Sequence, residues 1–327
     1  MLLKTRLNFW IGILYDSNNE YPTMIKVDLS KEFEYIVSQF EREQTNSKNI
    51  FCKQLDERLK YVRDAARKSH DNYICIKLSE QIVLELPLFK RGTVHTSDLI
   101  SLDDLLAFGM YQRLYLSGKY FVDIGANIGL HSIVAAKIGY YTISFEPDEP
   151  TFSELSKNFS INKISSKQVS PTKMPIKLEK IKASLLIKAA VSNFSGEANF
   201  IRIADNFFGN HIKGMKNLVY GEHSEHKIQV VSGQILTAYP GVIKIDAEGA
   251  DSRVLHSLIN AEIDMGRNTI LLCDWRHETL DSLYELISDG SSMPTLGRSG
   301  NEIVLKEQLP INRDADFVVL GRRTLKM

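Results

Sequence analysis

The chain has 327 residues, enough for one large domain or two moderate ones. Lys plus Arg and Asp plus Glu both number 40, so the formal net charge is zero and gives no global electrostatic case for binding nucleic acid or a membrane surface. The 3 cysteines include no C-x-x-C pair, which excludes a disulfide framework and favours a reducing, cytoplasmic location.

The first hundred residues predict a small segment of mixed helix and strand. An apolar stretch over residues 7–15 is interrupted by polar residues and glycine, so we expect neither a signal peptide nor a membrane span. Apolar residues at helical spacing over 33–40 and 55–62 predict two amphipathic helices, and alternating apolar residues over 74–88 predict a hairpin.

From about residue 101 the pattern changes to alternating strands and helices. The polar stretches 165–180 and 205–225 are expected to be loops, the second a candidate substrate lid. We expect strands over 119–124, 141–147, 184–191, 198–203, 228–235, 241–246, 269–273, 302–306 and 316–321, with helices after 149 and over 251–260 and 280–287.

This order predicts an α/β fold with a doubly wound, Rossmann-like parallel sheet, because helices separate most of the strands. No helix separates the last two β-runs, which predicts an antiparallel edge strand. We therefore divide the chain into an accessory, substrate-recognition segment at 1–100 and a main domain at 101–327.

The most informative stretch runs from Lys119 to His131 and predicts a buried strand, a glycine turn and the start of a helix. Gly125 and Gly129 bracket the turn, and Asp123 lies at the end of the strand. Such glycines let the backbone approach a ligand, and the helix that follows directs its N-terminus at that ligand. The acidic side chain favours a ligand with positive charge or donor groups over a bare phosphate.

The spacing of the glycines in this turn distinguishes between two nucleotide-type cofactors. Dinucleotide sites use G-x-G-x-x-G, whose middle glycine admits a pyrophosphate, and Asn127 occupies that position here. The observed Asp-x-Gly-x-x-x-Gly spacing is typical of sites for S-adenosylmethionine (SAM), which carries an ammonium and a sulfonium and no phosphate. Glu146 follows near the offset of about 20 residues at which an acid takes ribose hydroxyls, so we predict a SAM site.

A second acidic turn follows the strand predicted over 241–246. Asp246 and Glu248 would repel each other at the mouth of a site unless a cation, a proton or a donor lies between them. Asp251 has a simpler interpretation as the acid at the start of a helix. Ligands bind at the C-terminal ends of parallel strands, where we also expect Asp123 and Glu146.

At these motifs the chain resembles the FkbM family of SAM-dependent methyltransferases. The resemblance rests on V-D-I-G-A-N-I-G at 122–129, F-E-P at 145–147, A-A-V-S at 189–192 with S-G-E at 195–197, and K-I-D-A-E-G at 244–249. It implies the class I methyltransferase fold and O-methylation of a hydroxyl on a sugar, glycan or natural-product acceptor. Residues 1–100 lie outside the resemblance.

The resemblance also implies roles for single residues, with Asp246 and Glu248 facing the transferred methyl group. His131 is not part of that resemblance; its position on the first helix after the turn favours a structural or cofactor-side residue over a base. The remaining cofactor-binding residues, in order from the methionine moiety through the ribose to the adenine, are Asp123, Gly125, Asn127, Gly129, Glu146, Ala190 and Ser192.

The chain departs from the family pattern at 273–277, where C-D-W-R-H replaces the expected glutamate followed by an aromatic residue or His. The role of Asp274 is therefore open. A divalent metal held by Asp246, Glu248 and Asp274 is an alternative, since oxygen ligands suit Mg²⁺ and Mn²⁺, but no spacing here demands one.

Methyl transfer is an in-line displacement in which alignment of acceptor oxygen, methyl carbon and sulfur supplies much of the rate. A sugar hydroxyl needs a base or a metal; for the base, Asp246 is the first candidate and Glu248 the second, with His277 and His131 as alternatives. Three further histidines are expected to be solvent-exposed, namely His211, His223 and His226, with a role in substrate binding as the alternative for His211.

Two other function classes compete with this interpretation. An NAD-dependent oxidoreductase or epimerase needs the missing glycine and a Tyr-x-x-x-Lys pair, which the main domain does not present convincingly. A non-catalytic binding protein on a degenerate methyltransferase fold is weakened by the intact acids at 123, 146, 246 and 248. We expect a small-molecule or glycan acceptor and no nucleic acid, since the chain lacks an Asn-Pro-Pro-Tyr motif.

Overall fold

The computed structural model describes residues 23–41, 49–92, 94–115, 120–176, 183–204, 206, 209–215, 221–265, 267–272, 295–299, 302–306 and 318–320. Four of our expectations fall outside these residues, namely those for the stretch 7–15, the helix over 280–287, Asp274 and His277.

The N-terminal part of the chain forms a three-stranded sheet with two helices. Its elements are β1 (Met24–Asp28), α1 (Ser30–Glu41), α2 (Asn49–Lys68), β2 (Tyr73–Lys77), β3 (Val83–Pro87), β4 (Lys90–Arg91) and β5 (Val94–His95). Strand β1 is parallel to β2, and β2 is antiparallel to β3. Ile74 pairs with Leu86 and Ile76 with Leu84, all of them buried, so the predicted hairpin is confirmed.

The rest of the described chain alternates strands and helices. The next elements are α3 (Leu102–Leu114), β6 (Tyr120–Ile124), α4 (Leu130–Ile138), β7 (Tyr141–Phe145), α5 (Glu149–Ile161), β8 (Ser166–Val169), β9 (Ser184–Ile187), β10 (Ala190–Ser192), β11 (Gly196–Ile203), β12 (His211–Ile212) and β13 (His223–Ser232). The last elements are β14 (Gly241–Ile245), α6 (Asp251–Asn260), β15 (Thr269–Leu272), β16 (Thr295–Ser299), β17 (Glu302–Lys306) and β18 (Val318–Leu320).

Seven of these strands form the central sheet, in the order β18-β15-β14-β6-β7-β9-β8. Every neighbouring pair is parallel except β15 and β18, which are antiparallel. The predicted fold class, a doubly wound parallel sheet with an antiparallel edge strand, is confirmed.

Alternate residues of the central strands enter two separate cores, because successive side chains of a strand point to opposite faces. Phe121 packs with α3, α4, α5 and the N-terminal sheet, whereas Val122 packs with α6 on the other face. In the same way, Val242 belongs to the core that contains Phe121, and Ile243 to the core that contains Val122. A sheet buried on both faces explains why its strands are almost continuously apolar.

A second sheet, in the order β10-β13-β11-β12, changes three of our expectations. The strand expected over 184–191 ends at Ile187, and the chain moves to the second sheet at Ala190. The strand expected over 228–235 is β13, which begins five residues earlier and pairs with β11. The expected loop 205–225 contains β12 and the start of β13, because polar residues with no alternation are held there by pairing to β11.

Two smaller differences concern the strands β8 and β17. The expected loop 165–180 contains β8, a short and largely exposed edge strand beside β9. The run 302–306 is β17, which pairs with β16 rather than with the central sheet. For β8, backbone pairing decides the structure where side-chain patterning is weak.

The N-terminal segment shares a core with the main sheet. Ile74 and Leu84 belong to the same buried cluster as Leu106, Ile133 and Leu155 of α3, α4 and α5. The division at residue 100 stays a prediction. Within the described residues, no helix combines the length and apolar character needed to span a membrane.

Candidate functional site

A cavity of about 250 Å³ lies at the C-terminal edge of β6, β7 and β14. This is the edge at which doubly wound sheets bind ligands, and the volume is near the lower end of small-molecule sites. Two turns line it, one after β6 and one after β14, together with residues of the second sheet.

The first turn is fixed by Gly125, which has a left-handed backbone (φ 74°). Its amide and that of Ala126 both donate to the carbonyl of Phe145 at the end of β7 (3.1 and 2.9 Å). A Cβ atom at Gly125 would lie 1.9 Å from the carbonyl oxygen of Asp246 in the second turn. Only glycine therefore allows the two turns to touch.

The second glycine of the motif, Gly129, has a packing role. Its φ is 92°, and a Cβ there would lie 2.4 Å from Leu155 Cδ1 on α5. Gly129 begins α4 and brings that helix close to α5, and it does not line the cavity.

Asn127 replaces the dinucleotide glycine and also has a left-handed backbone (φ 51°). Its side-chain oxygen accepts from the amide of Ile128 (2.8 Å), a local bond that stabilises this conformation for asparagine. Its own amide donates to Glu146 Oε2 (2.9 Å), so the turn holds the acid predicted to contact ribose.

Glu146 is buried at the end of β7 and lines the cavity. Its second oxygen accepts from the amide of Asp148 (2.9 Å). Burial raises the pKa of Glu146 to about 8; the two backbone amides offset part of this effect, and the charges of Asp148 and Asp123 add to it. The carboxyl therefore changes its charge near neutral pH.

A link from the second sheet supports this acid. Arg202 on β11 donates to Asp148 Oδ1 (2.6 Å), and Thr151 on α5 donates to Asp148 Oδ2 (2.7 Å). Because Asp148 donates its amide to Glu146, the second sheet and the ribose-side acid are joined through one residue.

Asp123 lies beneath the cavity and does not line it. It is fully buried and accepts from Ser132 Oγ (2.6 Å) and Lys244 Nζ (3.1 Å). The ammonium of Lys244 also donates to Asp246 Oδ2 (3.3 Å). The sequence motifs contain Lys244, and its place inside an apolar strand signals a buried charge, but its role as the link between these acids comes only from the structure.

The second turn carries Asp246 and Glu248 to the wall of the cavity. The amide of Asp246 donates to the carbonyl of Ile124 (3.1 Å), and Glu248 has a left-handed backbone (φ 49°). Asp251 accepts from the amides of Ala247 (3.0 Å) and Gly249 (3.1 Å), as expected for an acid at a helix start. Burial raises the pKa of Asp251, and the charge of Asp246 raises it further.

His131 and Asp104 line the wall next to α3 and α4. His131 Nε2 donates to Asp104 Oδ1 (3.1 Å), and its Nδ1 is hydrogen-bonded to the hydroxyl of the buried Tyr111 (2.9 Å). Burial favours a higher pKa for Asp104, but the hydrogen bond and charge of His131, with hydrogen bonds from Ser101, outweigh it and lower the pKa.

The second sheet supplies another wall through Ala190, Phe200, Asn210, His211 and Ile212. His211 is buried, which corrects the expectation that it is exposed; His223 is exposed, as expected, and His226 is partly buried. The pairing of His211 with Ile201 on β11 turns an apparent loop residue inward. Ser192 is buried and does not line the cavity.

Acidic groups outnumber basic ones on the cavity wall. Asp98 forms an ion pair with Arg67 at the rim, and Asp104 pairs with His131. No arginine is among the cavity-lining residues that the structure describes. Among the residues that the structure describes, the lining contains one ammonium, that of Lys244, against five carboxyl groups, those of Asp98, Asp104, Glu146, Asp246 and Glu248.

Within the described part of the chain, no group of three or more His, Cys, Asp or Glu side chains is arranged to hold a metal ion. Asp246 and Glu248 belong to this part, whereas Asp274, the third residue of the metal alternative, and His277 lie outside it.

No protein-family model and no curated protein matches the chain. Among solved structures, it is similar to a SAM-dependent methyltransferase from Agrobacterium tumefaciens (8% identity, TM-score 0.42, 79% of this chain and 72% of that one). A TehB-like SAM-dependent methyltransferase from Corynebacterium glutamicum (12%, 0.29, 65% and 87%) is also similar. So is a tRNA (uracil-54, C5)-methyltransferase from Pyrococcus abyssi in complex with S-adenosyl-L-homocysteine (10%, 0.34, 79% and 52%).

Likenesses at these TM-scores carry no argument about activity. The strand order and the antiparallel edge strand are those of a doubly wound, Rossmann-like sheet.

Proposed function

We propose that the protein is a SAM-dependent methyltransferase that resembles the FkbM family. The observation that carries this proposal is the acidic cavity at the glycine turn, where carboxyl groups outnumber ammonium groups among the described lining residues. SAM brings a sulfonium and an ammonium to such a cavity, whereas the pyrophosphate of a dinucleotide would be repelled there. The geometry therefore favours SAM over NAD.

In this proposal the methionine moiety lies between the two turns that meet at Gly125 and Asp246. Glu146 takes the ribose hydroxyls, and Ala190 with Val191 borders the adenine. Asp123 acts indirectly, because its carboxylate is turned to Lys244 rather than to the cavity. Gly129 and Ser192 support the site by packing.

We propose O-methylation as the reaction. A bond forms between the acceptor oxygen and the methyl carbon while the bond from that carbon to sulfur breaks, and its electron pair stays on sulfur. The hydroxyl proton passes to a carboxylate, for which Asp246 is the first candidate and Glu248 the second, since both line the cavity. Lys244 would hold the Asp246 carboxylate in place through its hydrogen bond.

The acceptor is proposed to be a hydroxyl of a sugar, a glycan or a natural product in the cytoplasm. Asp98 and Leu99 of the N-terminal segment reach the cavity wall, which supports a part for this segment in acceptor recognition. The zero net charge disfavours a nucleic-acid acceptor.

A thermal-shift comparison of SAM, S-adenosylhomocysteine, NAD and Mg²⁺ tests the cofactor. We expect SAM and S-adenosylhomocysteine to raise the melting temperature, because ligands that bind only the folded state stabilise it. Stabilisation by NAD and not by SAM would replace the proposal with an oxidoreductase.

Transfer of labelled methyl from SAM to sugars, nucleotide sugars, lipids, peptides and RNA tests the acceptor. We expect label on a hydroxyl of a carbohydrate or natural product, and label on RNA alone would contradict that part of the proposal. Binding of SAM with no transfer to any acceptor would favour a non-catalytic protein.

A further inference from the structure

Within the described part of the chain, two carboxylates and one ammonium lie together at the base of the cavity. Lys244 donates to Asp123 (3.1 Å) and to Asp246 (3.3 Å), so one ammonium serves two carboxylates. Lys244 and Asp123 are buried, and the side chain of Asp246 is one-third exposed. The trio therefore leaves one negative charge in excess, close to the wall of the cavity.

This excess lies where the two turns meet. Asp246 and Lys244 line the cavity, and the carbonyl of Asp246 touches the backbone of Gly125. Burial keeps water from screening this charge fully. Its electrostatic potential in the cavity is therefore stronger than that of an exposed carboxylate.

The substrate and product of a SAM-dependent reaction differ in charge at one atom. SAM has a positively charged sulfonium, and S-adenosylhomocysteine has a neutral thioether in its place. Sinefungin carries an ammonium at the same position and does not transfer a methyl group, so it reports binding of the charge without turnover.

We propose that the Asp123–Lys244–Asp246 trio makes the site bind SAM in preference to S-adenosylhomocysteine. Methyl transfer removes the positive charge on sulfur, so the site binds the product more weakly than the substrate. This inference rests on the proposed function and adds weak product inhibition to it. A unit charge within about 10 Å, at an effective dielectric constant of about 20, changes affinity by about tenfold or more.

Isothermal titration of the full-length protein with SAM, sinefungin and S-adenosylhomocysteine tests the proposal. We expect SAM and sinefungin to bind about tenfold or more tightly than S-adenosylhomocysteine. Asp246→Asn leaves one carboxylate for one ammonium, so the preference for SAM should fall toward one.

Asp123→Asn makes the same change of charge from a buried position that does not line the cavity, and it should lower the preference in the same direction. Glu225→Gln is the matched control, because it removes an exposed carboxylate that pairs with Lys213 on the second sheet. This control should keep the wild-type preference.

The outcomes separate the two proposals. Binding of none of the three compounds would overturn the proposed function and this inference with it. Equal binding of SAM and S-adenosylhomocysteine would leave the function intact and overturn the inference. A preference that survives in both Asp variants would show that the trio does not cause it.

Discussion

Gly125 is the residue at which the two turns of the cavity meet, and replacing it should separate them. Gly125→Ala adds a Cβ 1.9 Å from the carbonyl of Asp246 in a left-handed backbone. We expect a loss of about 2–5 kcal/mol in the free energy of unfolding, from backbone strain plus overpacking, and loss of SAM binding. Urea denaturation and titration with SAM measure the two effects.

Gly214→Ala is the control for that experiment. Gly214 has a similar left-handed φ (85°), but a Cβ there meets nothing within 4 Å. This variant should lose only the backbone-strain contribution to the free energy of unfolding, about 1–2 kcal/mol, and should bind SAM like the wild type. Equal losses for the two variants would mean that contact between the turns is not what requires Gly125.

Glu146 gives the site a pH dependence. Because burial raises its pKa to about 8, the free protein carries this carboxyl mostly protonated at pH 6.5 and ionised at pH 9. Ribose hydroxyls donate best to the ionised form, so affinity for methylthioadenosine should rise about tenfold or more as the pH increases between these values. Titration calorimetry at the two pH values measures the change.

Methylthioadenosine lacks the amino acid group of SAM, so the titration of that group does not affect the result. The 2′,3′-dideoxy analogue should bind with no such rise, since it has no hydroxyls to donate. A rise that is equal for both compounds would exclude contact between Glu146 and the ribose.

At the scale of elements, the pair formed by Asp104 and His131 joins α3 to α4 beside the cavity. Asp104 also accepts from the side chain and amide of Ser101, so it holds the start of α3 as well. We expect a coupling energy of about 1 kcal/mol or more between Asp104→Asn and His131→Gln, measured by urea denaturation of both single variants and the double variant. Additive effects would mean that the pair contributes no coupling.

The elements that could be predicted are those with a strong apolar pattern. Strands β2, β3, β6 and β14 and helix α6 have such patterns, and the structure has them within a residue or two of their expected bounds. Strands β8 and β12 lack it, because one is short and polar and the other has two residues. Pairing with a neighbouring strand defines them, and no local sequence signal reports a partner distant in the chain.

At the scale of the whole molecule, the N-terminal segment and the main sheet share one core. Asn162 at the end of α5 donates to the carbonyl of Glu85 (2.8 Å) and accepts from its amide (3.0 Å), and apolar residues of β2 and β3 pack against α4 and α5. We predict that a fragment of residues 101–327 does not unfold cooperatively, because it exposes this core. Urea denaturation followed by circular dichroism, with the full chain alongside, measures it.

A fragment that unfolds in one sharp transition and still binds SAM would contradict this prediction. It would also support residues 1–100 as an independent accessory domain. The full-length chain should unfold in a single transition under the same conditions, since its N-terminal sheet and helices α3 to α5 lie in one buried cluster.

The sequence by itself determined the class of sheet and predicted the position of the site. Apolar runs that end in acids, followed by glycines, specify buried parallel strands and turns at one edge, and Asn127 alone separates SAM from a dinucleotide. These are local properties, readable from adjacent residues.

Only the tertiary structure decided which acids face the cavity. Asp123, predicted to border the cofactor, is turned to Lys244, and His211, expected in solvent, lines the cavity wall. Strand pairing sets both outcomes: β6 lies beside β14, which is distant in sequence, and β11 lies beside β12, which follows it in the chain. The shared charge of Asp123, Lys244 and Asp246 exists only because those strands are neighbours.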